Sequence, residues 1–283
     1  MSNMNGNALA QQPIGIFDSG VGGLSVLNAI WQALPHENLI YIGDQAHIPY
    51  GSRPKVEIRK YSIEITHFLL MQGAKLIVVA CNTASAAALH ALRRYFQEVP
   101  FVGMEPAIKP AAEMTQTGKV GVLATPTTFS GDLYASVVER FAKHVQIYTS
   151  TCPGLVEQIE NGELESPKTS LILEDALLPM LDEGIDTIVM GCTHYPFVIP
   201  LIQAITGPSV RIIDPAPAVA RQTLRLLKRN NLLNPANDRG HISFFTSDDA
   251  NRMARLLPLL IGEEGFVLPV RWTQGSIKQI LPV

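Results

Sequence analysis

Short apolar runs alternate along the chain with longer stretches in which apolar residues recur at helical spacing. The apolar runs are rich in β-branched residues at successive positions, a pattern typical of strands buried on both faces of a parallel sheet. The alternation predicts βαβ units, and therefore an α/β fold in which helices cover mainly parallel sheets. We predict strands at Ile14–Phe17, Asn38–Ile42, Leu76–Ala80, Phe101–Val102, Val120–Ala124, Gln146–Thr149, Thr187–Gly191 and Arg211–Ile213, and helices at Leu24–Leu34, Lys55–Gln72, Ala84–Phe96, Asp132–Lys143, Thr169–Glu183, Phe197–Ile205 and Ala216–Asn230.

A weak internal repeat indicates two halves of similar plan. Cys81 and Cys192 each follow a predicted strand, and in both cases a glycine (Gly73 and Gly184) precedes the cysteine by eight positions. In open α/β sheets, ligands bind beyond the carboxyl ends of the strands. Two facing halves would therefore place the two thiols on opposite walls of one cleft.

The composition argues against several classes of protein. Of the 283 residues, 47% are hydrophobic and 17% are charged, which supplies a sizeable core and argues against disorder. A net charge of −3 without a long Lys/Arg run argues against a nucleic-acid binder. Three cysteines do not make a secreted disulfide framework, and no apolar run reaches the ~18–20 residues of a membrane helix. We expect a cytoplasmic protein that binds neither nucleic acid nor membrane.

The surroundings of two cysteines predict acid–base chemistry. Cys81 precedes an alanine-rich predicted helix, whose N-terminal N–H groups and dipole favour a thiolate. Cys192 has His194 two residues away, and an imidazole can exchange or orient the thiol proton. A lone cysteine is ordinarily a small buried hydrophobe, and we assign that role to Cys152. Two opposed thiols, with pKa values near ~8.5, suit removal of a proton from one face of a carbon and its return to the other, which inverts a stereocentre.

Four polar segments that follow predicted strands complete the candidate site. The glycine-rich loop after the first strand carries Asp18, which is either a turn carboxylate or a partner for a cysteine or a substrate ammonium. This loop matches a dinucleotide fingerprint only weakly, and no P-loop motif occurs. Residues 49–51 are either a simple turn or part of the site. Residues 82–83 and 193–194 offer amide, hydroxyl and backbone N–H groups that suit a carboxylate and an ammonium.

Four segments resemble the signatures of the glutamate racemase family, and the resemblance spans almost the whole chain from about residue 13. The two cysteine motifs also occur, in looser form, in aspartate and hydantoin racemases, whereas the Asp-Ser-Gly and Pro-Tyr-Gly loops point to the glutamate branch. The segments are Ile16-Phe-Asp-Ser-Gly-Val-Gly-Gly-Leu-Ser25, Tyr41-Ile-Gly-Asp44 with Pro49-Tyr-Gly51, Ala80-Cys-Asn-Thr-Ala84, and Gly191-Cys-Thr-His-Tyr-Pro196.

The resemblance implies a role for each matching residue. Cys81 and Cys192 are the two bases, and by family analogy Cys81 serves D-glutamate and Cys192 serves L-glutamate. Asp18 assists Cys81, while His194 assists Cys192 together with Glu160. The residues implied to line the substrate site are Asp18, Ser19, Pro49, Tyr50, Gly51, Asn82, Thr83, Thr125, Thr128, Thr193 and His194.

The resemblance also implies a fold and a biological setting. The fold is two pseudo-symmetric flavodoxin-like domains, each a mainly parallel sheet flanked by helices, with the active site in the cleft between them. The first domain comprises residues 13–98 and 214–283, the second residues 99–213, and residues 1–12 form a flexible tail. The family needs no pyridoxal phosphate, other cofactor or metal, is commonly a homodimer, and supplies D-glutamate for peptidoglycan. Some members with longer tails are activated by a cell-wall precursor, so such an activator is a candidate partner.

Three alternatives stay open at this level. An aspartate or related racemase would differ in substrate, a one-cysteine hydrolase or lyase would need only one thiol, and a non-catalytic amino-acid-binding protein would tolerate the loss of both. The paired Cys-Asn-Thr and Cys-Thr-His turns argue against the binding protein, because reactive thiols need a special environment. The sequence therefore favours cofactor-independent racemisation of glutamate by two cysteines.

Overall fold

The computed structural model describes residues 8–280, which form two sheets flanked by helices. Within this range, none of the helices combines the length and the apolar character that crossing a lipid bilayer requires. The strands are β1 (Ile14–Asp18), β2 (Leu39–Gly43), β3 (Leu76–Val79), β4 (Phe101–Gly103), β5 (Lys119–Ala124), β6 (Gln146–Ser150), β7 (Thr187–Gly191), β8 (Arg211–Ile213), β9 (Ile242–Thr246), β10 (Val267–Thr273) and β11 (Ser276–Gln279). The helices are α1 (Leu24–Ala33), α2 (Lys55–Met71), α3 (Asn82–Tyr95), α4 (Ile108–Met114), α5 (Pro126–Phe129), α6 (Asp132–Phe141), α7 (Leu155–Glu160), α8 (Pro167–Asp182), α9 (Ile199–Thr206), α10 (Ala216–Arg229) and α11 (Ala250–Ile261), and 3₁₀ turns lie at Gln45–His47, Tyr50–Ser52 and Tyr195–Val198.

The two sheets share one topology, which confirms the predicted α/β fold. The larger sheet has seven strands in the order β11-β10-β9-β2-β1-β3-β4, and the smaller has four in the order β6-β5-β7-β8. The order β2-β1-β3-β4 therefore matches β6-β5-β7-β8, and these neighbours are all parallel. Gly15 pairs with Ile77 in one sheet and Gly121 with Ile188 in the other. Each isoleucine precedes a cysteine by four residues, so the sequence repeat is also a repeat of strand register.

The central strands are buried on both faces, which explains their continuous apolar runs. No residue of β1, β2, β3 or β7 is exposed. Leu24, Leu27 and Ile30 lie three residues apart along α1 and are fully buried in one cluster that also contains Leu123 and Met190 of the smaller sheet. Burial of each such side chain contributes roughly 1.5–3 kcal/mol relative to exposure. A continuous core thus joins the two sheets.

The chain passes from the larger sheet to the smaller one and back. The predicted second domain starts at residue 99, whereas β4 pairs with β3 in the larger sheet, so the change of sheet comes after residue 103. After the smaller sheet, β9 pairs in parallel with β2. We name the elements of the larger sheet, at residues 8–103 and 242–280, the first half of the molecule. The second half comprises residues 119–213.

Several elements differ from the sequence-based expectation for physical reasons. The sequence pattern does not predict β9, β10, β11 or α11, and β10 contains Pro269 and mixes buried with exposed residues as expected near a sheet edge. Helices α4, α5 and α7 are too short for a clear apolar period. Helix α3 begins at Asn82, two residues before the predicted start at Ala84, because Cys81 caps it by accepting a hydrogen bond from the Ala84 N–H.

A buried ion pair lies at the end of the larger sheet opposite the carboxyl ends of its strands. Lys75 precedes β3 and Glu37 precedes β2, and Lys75 Nζ lies 2.5 Å from Glu37 Oε2 with both side chains almost fully buried. Glu37 Oε1 accepts a hydrogen bond of 2.8 Å from the backbone N–H of Asn234. Burial lowers the pKa of Lys75 from its ordinary value, although Glu37 acts in the opposite direction. The pair therefore links two strands of the first half to the segment that returns from the second.

The predicted flexible tail at residues 1–12 is described only in part. Residues 1–7 lie outside the described residues. Ala10 is buried, and its carbonyl oxygen accepts a hydrogen bond from Lys75 Nζ. The chain is therefore anchored to the first half at residue 10, before β1 begins.

Candidate active site

A small cavity lies at the carboxyl ends of the strands, with residues from both halves in its walls. Val156 lines it although the sequence pattern does not single this residue out. Asp18, Thr128 and Glu160 do not line it, but each contacts a residue that does. The predicted site residues that line the cavity are Ser19, Pro49, Tyr50, Gly51, Cys81, Asn82, Thr83, Thr125, Cys192, Thr193 and His194.

Cys81 lies between the end of β3 and the start of α3. Its Sγ accepts a hydrogen bond of 3.4 Å from the Ala84 N–H and lies 3.9 Å from Ser19 Oγ. Burial, and after it the carboxylate of Asp18, raise the pKa of Cys81 well above its ordinary value, and the Ala84 N–H does not offset them. The helix N-terminus does act to lower this pKa through the Ala84 N–H, as expected, but burial and Asp18 outweigh it.

Two buried polar side chains beside Cys81 have atoms without a partner among the described residues. Asp18 Oδ2 accepts hydrogen bonds from the N–H groups of Gly23 (2.8 Å) and Gly20 (3.4 Å), but Oδ1 accepts none. Neither Oδ1 nor Nδ2 of Asn82 has a protein partner. A buried polar atom without a hydrogen bond costs free energy. Since Asn82 lines the cavity, its amide suits a polar ligand.

Cys192 belongs to a buried array of three side chains. Its Sγ lies 3.8 Å from His194 Nδ1, and His194 Nε2 lies 2.7 Å from Glu160 Oε1. Burial acts to lower the pKa of His194, but Cys192 and Glu160 outweigh it and hold that pKa well above its ordinary value. Burial likewise acts to raise the pKa of Glu160, but His194 and further hydrogen-bond donors bring it below its ordinary value. His194 and Glu160 therefore form an imidazolium–carboxylate pair behind Cys192.

The Glu160 carboxylate accepts hydrogen bonds from both halves of the molecule. Val21 N–H, in the loop after β1, donates to Oε1 at 2.7 Å. Gln45 Nε2, just after β2, donates to Oε2 at 2.7 Å. The family resemblance implied roles for Glu160 and His194 but not for Gln45, whose partner lies 115 residues away along the chain.

Gly22 of the first half packs directly against the His194 ring of the second. A Cβ atom at this position would overlap the ring, with Nδ1 as the nearest atom. Gly22 does not have a positive φ angle, so the close approach, rather than backbone conformation, requires glycine here.

We expect Gly22→Ala to lower kcat by about 10²-fold, because the methyl group displaces the imidazole and misplacement by an ångström costs about this factor. The methyl group must also push aside a buried ring that is hydrogen-bonded to Glu160, so the variant should lose about 1–3 kcal/mol of stability, as overpacking usually costs, and its melting temperature should fall. Kinetics of the reaction that the family resemblance implies, and a thermal melt of the same preparation, measure both quantities. An unchanged kcat would show that the ring position is not critical.

The turn that carries Tyr50 is fixed by a hydrogen bond to a buried carboxylate. Tyr50 Oη donates a hydrogen bond of 2.6 Å to Asp44 Oδ2. Asp44, which the sequence motifs did not assign, also accepts hydrogen bonds from His47, Ser247 and Trp272. Two residues near the C-terminus therefore help to fix one wall of the cavity.

Threonine hydroxyl groups connect the two halves at the rim of the cavity. Thr83 Oγ1 lies 2.9 Å from Thr125 Oγ1, which lies 3.0 Å from Thr128 Oγ1. Thr127 Oγ1 donates a hydrogen bond of 2.8 Å to the carbonyl oxygen of Gly51. Since Thr83 and Gly51 belong to the first half and the others to the second, these contacts hold the halves together.

Cys152 lies apart from this chemistry. Its side chain is buried in the hydrophobic core and does not line the cavity. Burial raises the pKa of Cys152 to about 12, so it is an unreactive thiol. Within residues 8–280, no group of three His, Cys, Asp or Glu side chains is arranged to hold a metal ion.

Comparison with known proteins identifies close relatives. Residues 14–223 match the family model described as Asp/Glu/Hydantoin racemase. The glutamate racemase of Roseiflexus sp. (strain RS-1) is 50% identical over 247 residues, which cover 87% of this chain and 91% of the relative. The crystal structure of a Bacillus anthracis glutamate racemase superposes with a TM-score of 0.81 at 32% identity, covering 94% of this chain and 98% of the other. Escherichia coli glutamate racemase, solved with L-glutamate and the activator UDP-MurNAc-ala, superposes with a TM-score of 0.80 at 34% identity, covering 91% and 97% of the two chains.

Proposed function

This chain belongs to the Asp/Glu/Hydantoin racemase family, and within it to the glutamate racemases, and we propose that it interconverts L- and D-glutamate by two-cysteine proton transfer at the α-carbon. The observation that supports this mechanism best is that Cys81 and Cys192 line one cavity from equivalent positions in the two halves. A hydrolase or lyase with one nucleophilic cysteine would not need the second thiol there.

In the proposed reaction from L- to D-glutamate, the Cys192 thiolate removes the α-proton. The electron pair stays on the α-carbon and is delocalised into the substrate carboxylate. The Cys81 thiol then gives its proton to the opposite face, so that Cys192 ends as a thiol and Cys81 as a thiolate. The reverse sequence converts D-glutamate to L-glutamate, and no external oxidant, cofactor or metal enters the proton balance.

The electrostatic surroundings of the two thiols support these roles. Burial and Asp18 raise the pKa of Cys81, which favours the thiol form that donates the proton in the L-to-D direction. The His194 cation beside Cys192 offsets negative charge on that sulfur and can exchange its proton. The amide of Asn82 and the first N–H groups of α3 suit the substrate carboxylate, whose negative charge grows as the proton leaves.

Circular dichroism of L-glutamate incubated with dialysed, metal-free protein tests the proposed activity. We expect the signal to decay to zero without added cofactor, and the signal of D-glutamate to decay to the same baseline. L-aspartate serves as the substrate control and should keep its signal. A flat trace with glutamate and a decay with aspartate would instead favour the aspartate racemase alternative.

The remaining parts of the proposal concern the biological setting. We propose that the D-glutamate enters peptidoglycan synthesis in the cytoplasm, a reducing compartment that suits three free cysteines. A homodimer is the proposed assembly, which sedimentation would measure. Since the Escherichia coli relative was solved with the activator UDP-MurNAc-ala, a cell-wall precursor is the candidate activator, and racemisation with and without this compound tests it.

A further inference from the structure

We propose that Gln45 is a positioning residue of the racemase reaction, which holds Glu160 across the contact between the halves and, through Glu160, holds His194 beside Cys192. This inference rests on the proposed two-cysteine function. Gln45 belongs to the first half of the molecule, whereas Cys192, His194 and Glu160 belong to the second.

Gln45 is itself fixed on both sides. Its side chain is buried, and Nε2 donates a hydrogen bond of 2.7 Å to Glu160 Oε2. On the other side, Thr246 Oγ1 of β9 donates a hydrogen bond of 2.7 Å to Gln45 Oε1. A hydroxyl donor beside Oε1 turns the amide so that its N–H groups face the carboxylate. Thr246 is fully buried and Gln45 nearly so, and both contacts therefore lie inside the protein.

The two carboxylate oxygen atoms of Glu160 have different partners, and only Oε1 contacts His194. Oε1 accepts hydrogen bonds from His194 Nε2 and the Val21 N–H, both at 2.7 Å. Oε2 accepts one from Gln45. Without Gln45, Oε2 would be a buried charged oxygen with no donor, which is costly. The carboxylate would then rotate or take up a proton, and His194 would lose the fixed anion that orients it.

The surroundings contain no other side chain that replaces Gln45 among the described residues. Arg252 of α11 donates to the backbone carbonyl oxygen of Glu160 at 3.0 Å and to Asn161 Oδ1 at 2.8 Å, not to the carboxylate. The hydroxyl of Tyr41 donates to the carbonyl oxygen of Gly20. The titratable groups that face this array are Cys192, Tyr41, Glu157, Tyr195 and Arg252.

The first measurement is the turnover of Gln45→Met, which keeps the length of the side chain but removes both hydrogen bonds. We expect kcat for glutamate to fall about 10- to 100-fold, the range for one lost hydrogen bond to a charged group. The matched control is Gln158→Met. Gln158 is also buried and lies on α7 two residues before Glu160, but its side chain contacts Ser166. The control should keep kcat within about twofold, as expected for a site that makes no contact with the array.

The second measurement needs no turnover. In protein labelled with ¹⁵N at histidine, the His194 ring signals, assigned with His194→Gln, are followed against pH. Because Gln45 favours the ionised form of Glu160, and ionised Glu160 favours the His194 cation, Gln45→Met should move the His194 titration to lower pH. Gln158→Met should leave it unchanged.

A lowered His194 titration together with a lowered kcat supports the proposal. An unchanged titration overturns it whatever happens to kcat, because a loss of rate would then reflect a structural defect. A shifted titration with full turnover also overturns it, since the array would not depend on this contact for catalysis. Failure of the proposed function itself is recognised separately, by a wild-type protein that does not racemise glutamate.

Discussion

Replacing Cys81 by serine, and separately Cys192 by serine, should each lower the turnover number for glutamate racemisation by about a thousandfold or more, within the ~10²–10⁴-fold range of general acid–base catalysis. A serine hydroxyl gives up its proton far less readily than a thiol, so neither variant has both a base and an acid on opposite faces. The two cysteines line one cavity, and the proposed mechanism uses both, so it requires that each substitution lowers the turnover number. Circular dichroism with each enantiomer measures the rates.

The same variants also separate the roles of the two thiols. Since L- and D-glutamate have equal free energy in water, kcat/KM must be equal in both directions for any variant, and rates alone do not distinguish the cysteines. Exchange of the α-proton in D₂O does. We expect Cys81→Ser to retain exchange with L-glutamate and Cys192→Ser to retain it with D-glutamate.

Cys152→Ser is the matched control for the cysteine variants. Cys152 is buried in the core, and burial raises its pKa to about 12, so it has no part in proton transfer. We expect its kcat to stay within a small factor of the wild-type value. Full racemisation by either of the other two serine variants would contradict the two-cysteine mechanism.

Lys75→Met should lower the free energy of unfolding by about 3–5 kcal/mol, the usual result of removing one partner of a buried ion pair. Glu37 would keep the hydrogen bond from Asn234, but it would lose the cation 2.5 Å away. The pair lies at the opposite end of the strands from the cavity, so the folded variant should keep its kcat. Urea titration monitored by far-ultraviolet circular dichroism measures the loss.

Two further variants identify the cause of that loss. Combining Lys75→Met with Glu37→Gln removes both charges and keeps an acceptor for Asn234, and it should recover most of the stability. Lys109→Met breaks an exposed pair with Glu113 and should change stability by less than about 1 kcal/mol. A Lys75→Met variant as stable as Lys109→Met would mean that the buried pair contributes little.

The parts of the fold predicted from the sequence are those with strong periodic signals. Strands buried on both faces appear as continuous apolar runs, so β1, β3, β5 and β7 were identified together with the cysteines that follow two of them. β11 lies at the edge of the larger sheet and is partly exposed, and its four residues give no comparable signal. This strand could therefore not be predicted from the pattern of apolar residues, whereas the buried run of β9 was missed despite its inner position.

The site residues that lie in sequence motifs could be predicted. Those whose roles depend on contacts between distant parts of the chain could not. The four motif segments contain ten residues that line the cavity, but the roles of Gln45 and Asp44 depend on contacts that exist only in the folded chain. The net direction of the Cys81 pKa could not be predicted, because position at a helix N-terminus can be read from sequence, whereas the burial and the nearby Asp18 that outweigh it cannot.

Because the chain returns to the larger sheet near its C-terminus, that sheet is the part of the fold that stays incomplete longest during synthesis. β2 pairs with β9, and the chain between them contains the entire smaller sheet. Until residues 242–246 leave the ribosome, one side of β2 is an unpaired edge, the kind of edge that recruits strands from other molecules. Thr246 and Trp272, which donate hydrogen bonds to Gln45 and Asp44, are also among the last residues to be synthesised. A nascent chain can therefore complete the smaller sheet while the larger one still depends on protection from aggregation.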